Sequence, residues 1–68
     1  SIIHPDDATR VWDDVQQALE TISPFDIHYR LTRADGKEVS VQDKGRGLYS
    51  ESGMVLGVEG ILLLTTES

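Results

Sequence analysis

The sequence has no cysteine in its 68 residues, so it can form neither a disulfide nor a thiolate metal site, and no thiol chemistry is open to it. Histidine is scarce: only His4 and His28 are present, and a zinc site needs several convergent ligands. No apolar run approaches the roughly 20 residues of a membrane-spanning helix, so no membrane insertion is expected. Basic residues are few, with six Lys and Arg against twelve Asp and Glu, a formal charge of −6. That balance argues against nucleic acid, whose phosphates call for a basic surface, and against an anionic membrane surface. Residues 1–7 carry no basic region, so no signal peptide is expected there and a cytoplasmic location is the default. No spacing of Ser, His and Asp suggests a catalytic triad. Residues 45–47 lack the strand–loop–helix setting and the lysine of a phosphate loop. No catalytic residue and no metal site are therefore expected, and the chain does not read as an enzyme.

What is present suits one small soluble domain, with 38% apolar and 26% charged residues. A domain of this size buries only about 60% of its unfolded surface and is marginal alone. Pro5 fits a first helical turn, where its missing N–H costs nothing. His4 fits a capping position, and Asp6 and Asp7 suit the positive end of a helix dipole. Ala8, Val11, Trp12, Val15, Ala18, Leu19 and Ile22 then recur in steps of three and four, one helical stripe over about 5–22. Trp12 is expected in the core, or else stacked on a ligand. Ser23 and Pro24 end the helix.

The period then changes to two. Phe25, Ile27, Tyr29 and Leu31 alternate with polar residues, giving a half-buried strand over about 25–33. His28 falls on the polar side. Ala34, Asp35 and Gly36 form a tight turn. A second strand covers about 37–49, with Val39 and Val41 on one face. Gly45 and Gly47 within it signal a bulge or a close backbone approach. Residues 50–53 make the next turn, and a third strand covers about 54–66. Ile61, Leu62, Leu63 and Leu64 are apolar on both faces, which usually marks a strand central in a sheet and covered on both sides. An exposed apolar edge is a hazard, so this strand should have a neighbour that the sequence does not itself supply. The fold class is α+β: one helix followed by a three-stranded antiparallel β-meander.

These signals, in this order, resemble the C-terminal half of a PAS domain, a sensor module of bacterial signalling proteins. His4-Pro5-Asp6-Asp7 resembles the family's helix entry. Phe25, Tyr29, Arg30 and Leu31 with Asp35 and Gly36 resemble its strand and Asp-Gly turn. Asp43, Gly45 and Arg46 resemble an Asp-x-Gly-x strand, and Gly60, Thr66 and Glu67 part of the terminal motif. The resemblance implies that the three strands are the last three of five, and that residues 1–68 are a partial sensor domain, the family's first strands being absent. It implies a sensory function, in which a small molecule or dimerisation regulates an attached output domain of histidine kinase or diguanylate cyclase type. Trp12, Phe25, Ile27 and Tyr29 would contribute to a ligand-pocket wall. Ile61, Leu62, Leu63 and Leu64 would form a dimer or partner face, with a homodimer expected. Thr66 and Glu67 would couple the signal onward. The sequence leaves the cofactor open, but because residues 10–22 hold no histidine, the haem of some family members is not expected. Two departures stand out: Ser40 replaces a common tryptophan, and Leu64 replaces the acidic residue that helps coupling. An alternative reading is a ligand-free protein–protein dimerisation module.

Overall fold

The computed structural model describes residues 2–65. In chain order they form β1 (Ile2–Ile3), α1 (Pro5–Glu20), β2 (Phe25–Thr32), β3 (Glu38–Tyr49) and β4 (Val55–Leu64). The sheet is antiparallel, in the order β1-β2-β3-β4. The expected three-stranded meander is thus a four-stranded sheet. The added strand precedes the helix, pairing Ile2 with Thr32 and Ile3 with Leu31. Two residues carry no readable period, which is why the pattern did not reveal it.

Local chemistry explains both ends of α1. His4 is the N-cap, and its Nδ1 accepts the Asp6 N–H at 3.1 Å. At the other end the helix stops at Glu20, short of the expected residue 22. The Thr21 hydroxyl donates to the Gln17 carbonyl at 2.9 Å, and the Ser23 N–H reaches back to the Ala18 carbonyl at 2.9 Å. This closure puts Ile22 at φ 52°, a left-handed position that glycine normally fills and a β-branched residue resists.

α1 packs across one face of β2 and β3. Val11, Ile27, Tyr29 and Val41 form the core, with Ile3, Val15, Phe25, Leu31 and Val39 against it. Two hairpins share one turn design: Gly36 at φ 85° and Gly53 at φ 88° each donate an N–H three residues back, to Arg33 and Ser50. The glycines of β3 serve close approach. A Cβ on Gly45 would lie 2.6 Å from the Phe25 ring, and one on Gly47 2.6 Å from the Tyr49 hydroxyl. The ladder irregularity falls later, at Leu48 and Tyr49.

Two expectations about burial need correction. Trp12 is 65% exposed, not core. The helix buries Asp7, Val11 and Ala18, a stripe one step round from Trp12, because a polar residue, Asp7, takes part in it. The apolar run of β4 is at the sheet edge rather than its centre. Ile61, Leu62, Leu63 and Leu64 are all exposed, since no described residue covers either face of that strand.

Candidate functional site

The outer side of β2 is closed by β1 at Leu31 and Thr32 and by the helix end at His28 and Arg30. Arg30 turns its backbone away from β3; its N–H donates to Asp7 Oδ2 at 2.9 Å and its carbonyl accepts the His4 N–H at 2.8 Å. The His28 carbonyl accepts from Arg10 Nη2 at 2.7 Å. The Arg30 guanidinium also forks onto Asp7, Nε to Oδ2 and Nη2 to Oδ1, each at 2.9 Å. These Arg30 hydrogen bonds, against an opposing cost of burial, hold the Asp7 carboxyl well below the usual carboxylate range. His4 extends the network, its Nε2 lying 3.0 Å from Glu38 Oε1.

The β4 edge has no neighbouring strand among the described residues. In an antiparallel ladder, alternate residues bond to alternate sides. Arg30 faces outward, so its neighbours bond to β3, and the same alternation carries across to β4. The Thr65 N–H donates to the Ser40 carbonyl at 2.9 Å, which fixes the phase. Leu63 and Ile61 therefore bond to β3, while Gly60, Leu62 and Leu64 point their N–H and C=O groups away from the sheet.

Side chains divide by the same register. The helix-side face carries the rows Phe25–Gly45–Gly60, Ile27–Asp43–Leu62 and Tyr29–Val41–Leu64. α1 covers the β2 end of these rows and leaves Leu62 at 51% and Leu64 at 72% exposure. Leu19 touches the space above Gly47 of β3. Trp12 lies two helical turns before Leu19 on the same flank, so it too is on the β3–β4 side. Between helix and open strand sits a polar pair: the Tyr29 hydroxyl donates to Asp43 Oδ2 at 2.8 Å. Burial, and then this carboxylate, push the tyrosine up to about 12. The opposite face is polar over β2 and β3, where Gln42 Nε2 donates to Asp26 Oδ1 at 2.8 Å, and apolar at Ile61 and Leu63. An open groove of about 660 Å³ lies where β2 begins, with Pro24, Phe25, Lys44, Gly45, Gly60 and Ile61 in its lining.

Phe25, Ile27 and Tyr29 thus share one face as expected, but Ile27 and Tyr29 are buried beneath α1. Trp12 stands apart on the helix flank. The run 61–64 splits, with Leu62 and Leu64 on the helix side and Ile61 and Leu63 on the other. Thr66 and Glu67 lie outside the described residues. His28 is exposed, as its strand position implied. Sequence reading missed the Asp7–Arg30 fork, whose partners are 23 residues apart with no local signal. It also missed the Tyr29–Asp43 bond, which extending the Val39, Val41 alternation by one step would have found. Among the described residues no group of three or more His, Cys, Asp or Glu could hold a metal ion, and no helix is long and apolar enough to cross a membrane.

This helix across an antiparallel sheet with one open edge defines a class. The family model described as PAS fold matches residues 1–62, and the chain belongs to that family. Two solved structures are similar. One is a sensory box histidine kinase/response regulator from Burkholderia thailandensis E264, at 29% identity and TM-score 0.88 over 97% of this chain and 50% of that one. The other is the PAS domain of a GGDEF family protein from Chromobacterium violaceum ATCC 12472, at 31% identity and TM-score 0.63 over 96% of this chain and 60% of that one. The chain therefore spans half to three-fifths of the length of these structures. No curated protein matches it. PAS domains are generally non-catalytic sensory modules of signalling proteins, and both similar structures come from such proteins.

Proposed function

We propose that residues 1–68 are the C-terminal part of a PAS sensor in a longer, cytoplasmic signalling protein. The helix-side face of the sheet, with α1, forms one wall of a small-molecule pocket, and β4 passes occupancy to an attached output domain of histidine kinase or diguanylate cyclase type. The observation that carries this reading is the state of β4. Its outer backbone has no partner among the described residues, and Leu62 and Leu64 lie open beside the covered core. A strand and a cover from elsewhere in the protein would complete both, enclosing a space against Tyr29, Asp43 and Trp12. The similarity to a histidine kinase and a GGDEF family protein supports the output class. Signalling further requires that the ligand bind two sheet states with different affinity. The test is native mass spectrometry of the full-length protein as purified, followed by a metabolite panel. A non-covalent small molecule is the expected result. A protein that carries none and binds none contradicts sensing.

A second reading, homodimerisation, is favoured by a separate observation. Ile61 and Leu63 are exposed on the face away from α1, where a cover over the helix side would not reach them. A second copy is the occupant this reading assigns to that face. Light scattering across a concentration series tests it; a monomer at every concentration overturns it.

A further inference from the structure

Asp43 is out of place on the face it occupies. By register it lies between Ile27, which is 4% exposed, and Leu62 of the open strand. Its Oδ2 takes the Tyr29 hydroxyl. A carboxylate can accept about four hydrogen bonds, so one neutral donor leaves most of its capacity unused. No salt bridge engages it among the described residues. The six basic residues are all elsewhere. Arg10 and Arg30 serve the β2 edge. Arg33 and Lys37 flank the β2–β3 turn. Lys44 and Arg46 alternate onto the opposite face of β3.

In the open sheet, water can solvate this carboxylate. Once β4 is covered, as the proposed pocket requires, it loses that water. A carboxylate in apolar surroundings needs a charged or hydrogen-bonding partner. The same side of α1 presents the exposed Trp12 indole, whose face attracts cations. The chain's net charge of −6 further favours a cation over an anion. Resting on the reading of this face as a pocket wall, we infer that the ligand is a small organic amine. Its cationic nitrogen is held by Asp43, and its body lies against Trp12 and Leu62.

The experiment titrates the full-length protein with 2-phenylethylamine, putrescine and choline, and with uncharged 2-phenylethanol, by calorimetry. At least one amine should bind, and 2-phenylethylamine should bind more tightly than the alcohol. Asp43→Asn should cut amine affinity by roughly 10- to 100-fold, the worth of a charge-assisted bond, and leave the alcohol unchanged. Trp12→Ala should weaken amine binding by roughly 3- to 30-fold; since Trp12 is exposed, this variant reports even if Asp43→Asn fails to fold. Failure of all three amines to bind, or an amine affinity that survives both substitutions, overturns the inference. A native mass spectrum separates that failure from failure of the pocket itself: a bound cargo without a cationic nitrogen keeps the pocket and removes the amine. A structure of the full-length protein with its own Lys or Arg on Asp43 also removes the amine.

Discussion

At the β2 edge, the outward carbonyl of His28 and the outward N–H and C=O of Arg30 all find partners within the chain, on Arg10, Asp7 and His4. At the β4 edge, the corresponding groups of Gly60, Leu62 and Leu64 face away from the sheet with apolar side chains beside them. The first edge is sealed by charged residues at one helix end, which serve hydrogen bonding and block strand addition together. The second has the features that invite another strand: length, an apolar run and backbone groups without a partner among the described residues. On the reading proposed above, the bare edge is the one in use. The fixed edge anchors α1 to β2, and the open edge is where the rest of a sensor, or a second copy, can act on the sheet.

The largest effect is expected from unsealing the closed edge. Asp7→Ala removes the acceptor of three Arg30 bonds and leaves a backbone N–H and a guanidinium without a partner. It should lower the melting temperature more than substitution of Trp12, Ile22 or Leu63, while Asp7→Asn, which still accepts from the N–H, should cost less. Acid provides the same test by titration. A carboxyl held below its ordinary value contributes fully above about pH 4 and loses that contribution as pH falls through its folded value. Thermal melts should therefore drop below about pH 4, and Asp7→Asn should remove that part of the slope. An unchanged slope would mean that the fork does not hold the edge.

Smaller effects follow away from the sealed edge. Ile22→Gly relieves the left-handed backbone at the helix exit and should stabilise by about 1 kcal/mol in chemical denaturation. Leu63→Lys on the open strand should change folding stability by no more than about 0.5 kcal/mol, because the site is exposed. Its effect should appear instead in light scattering, as loss of self-association. A large loss of stability with unchanged association would reverse the roles assigned to the two edges.

The contrast was only half legible in the sequence. The period change after Pro24, the two glycine turns and the His4 cap placed the helix and the three long strands within two residues at each described boundary. The open strand was also visible, because an apolar run on both faces demands neighbours that the remaining residues do not provide. Its position at the edge was not visible, since periodicity reports which faces are apolar and not what covers them. The sealed edge was hidden for another reason. Asp7 reads as a dipole partner from its place in the first turn, and nothing local shows that a strand 23 residues later will bring Arg30 to it. Trp12 failed similarly: steps of three and four admit two adjacent stripes, and the buried one includes an aspartate that hydropathy assigns to solvent.

Amide hydrogen exchange tests the difference between the edges most directly, measured on this 68-residue chain and on the longer signalling protein proposed for it. In the short chain the Arg30 amide, bonded to Asp7, should be protected, while those of Gly60, Leu62 and Leu64 exchange quickly. In the longer protein those three should become protected, with Arg30 unchanged. If they stay unprotected there, or if Arg30 exchanges as fast as they do, the two edges are not the sealed and working sides of this sheet.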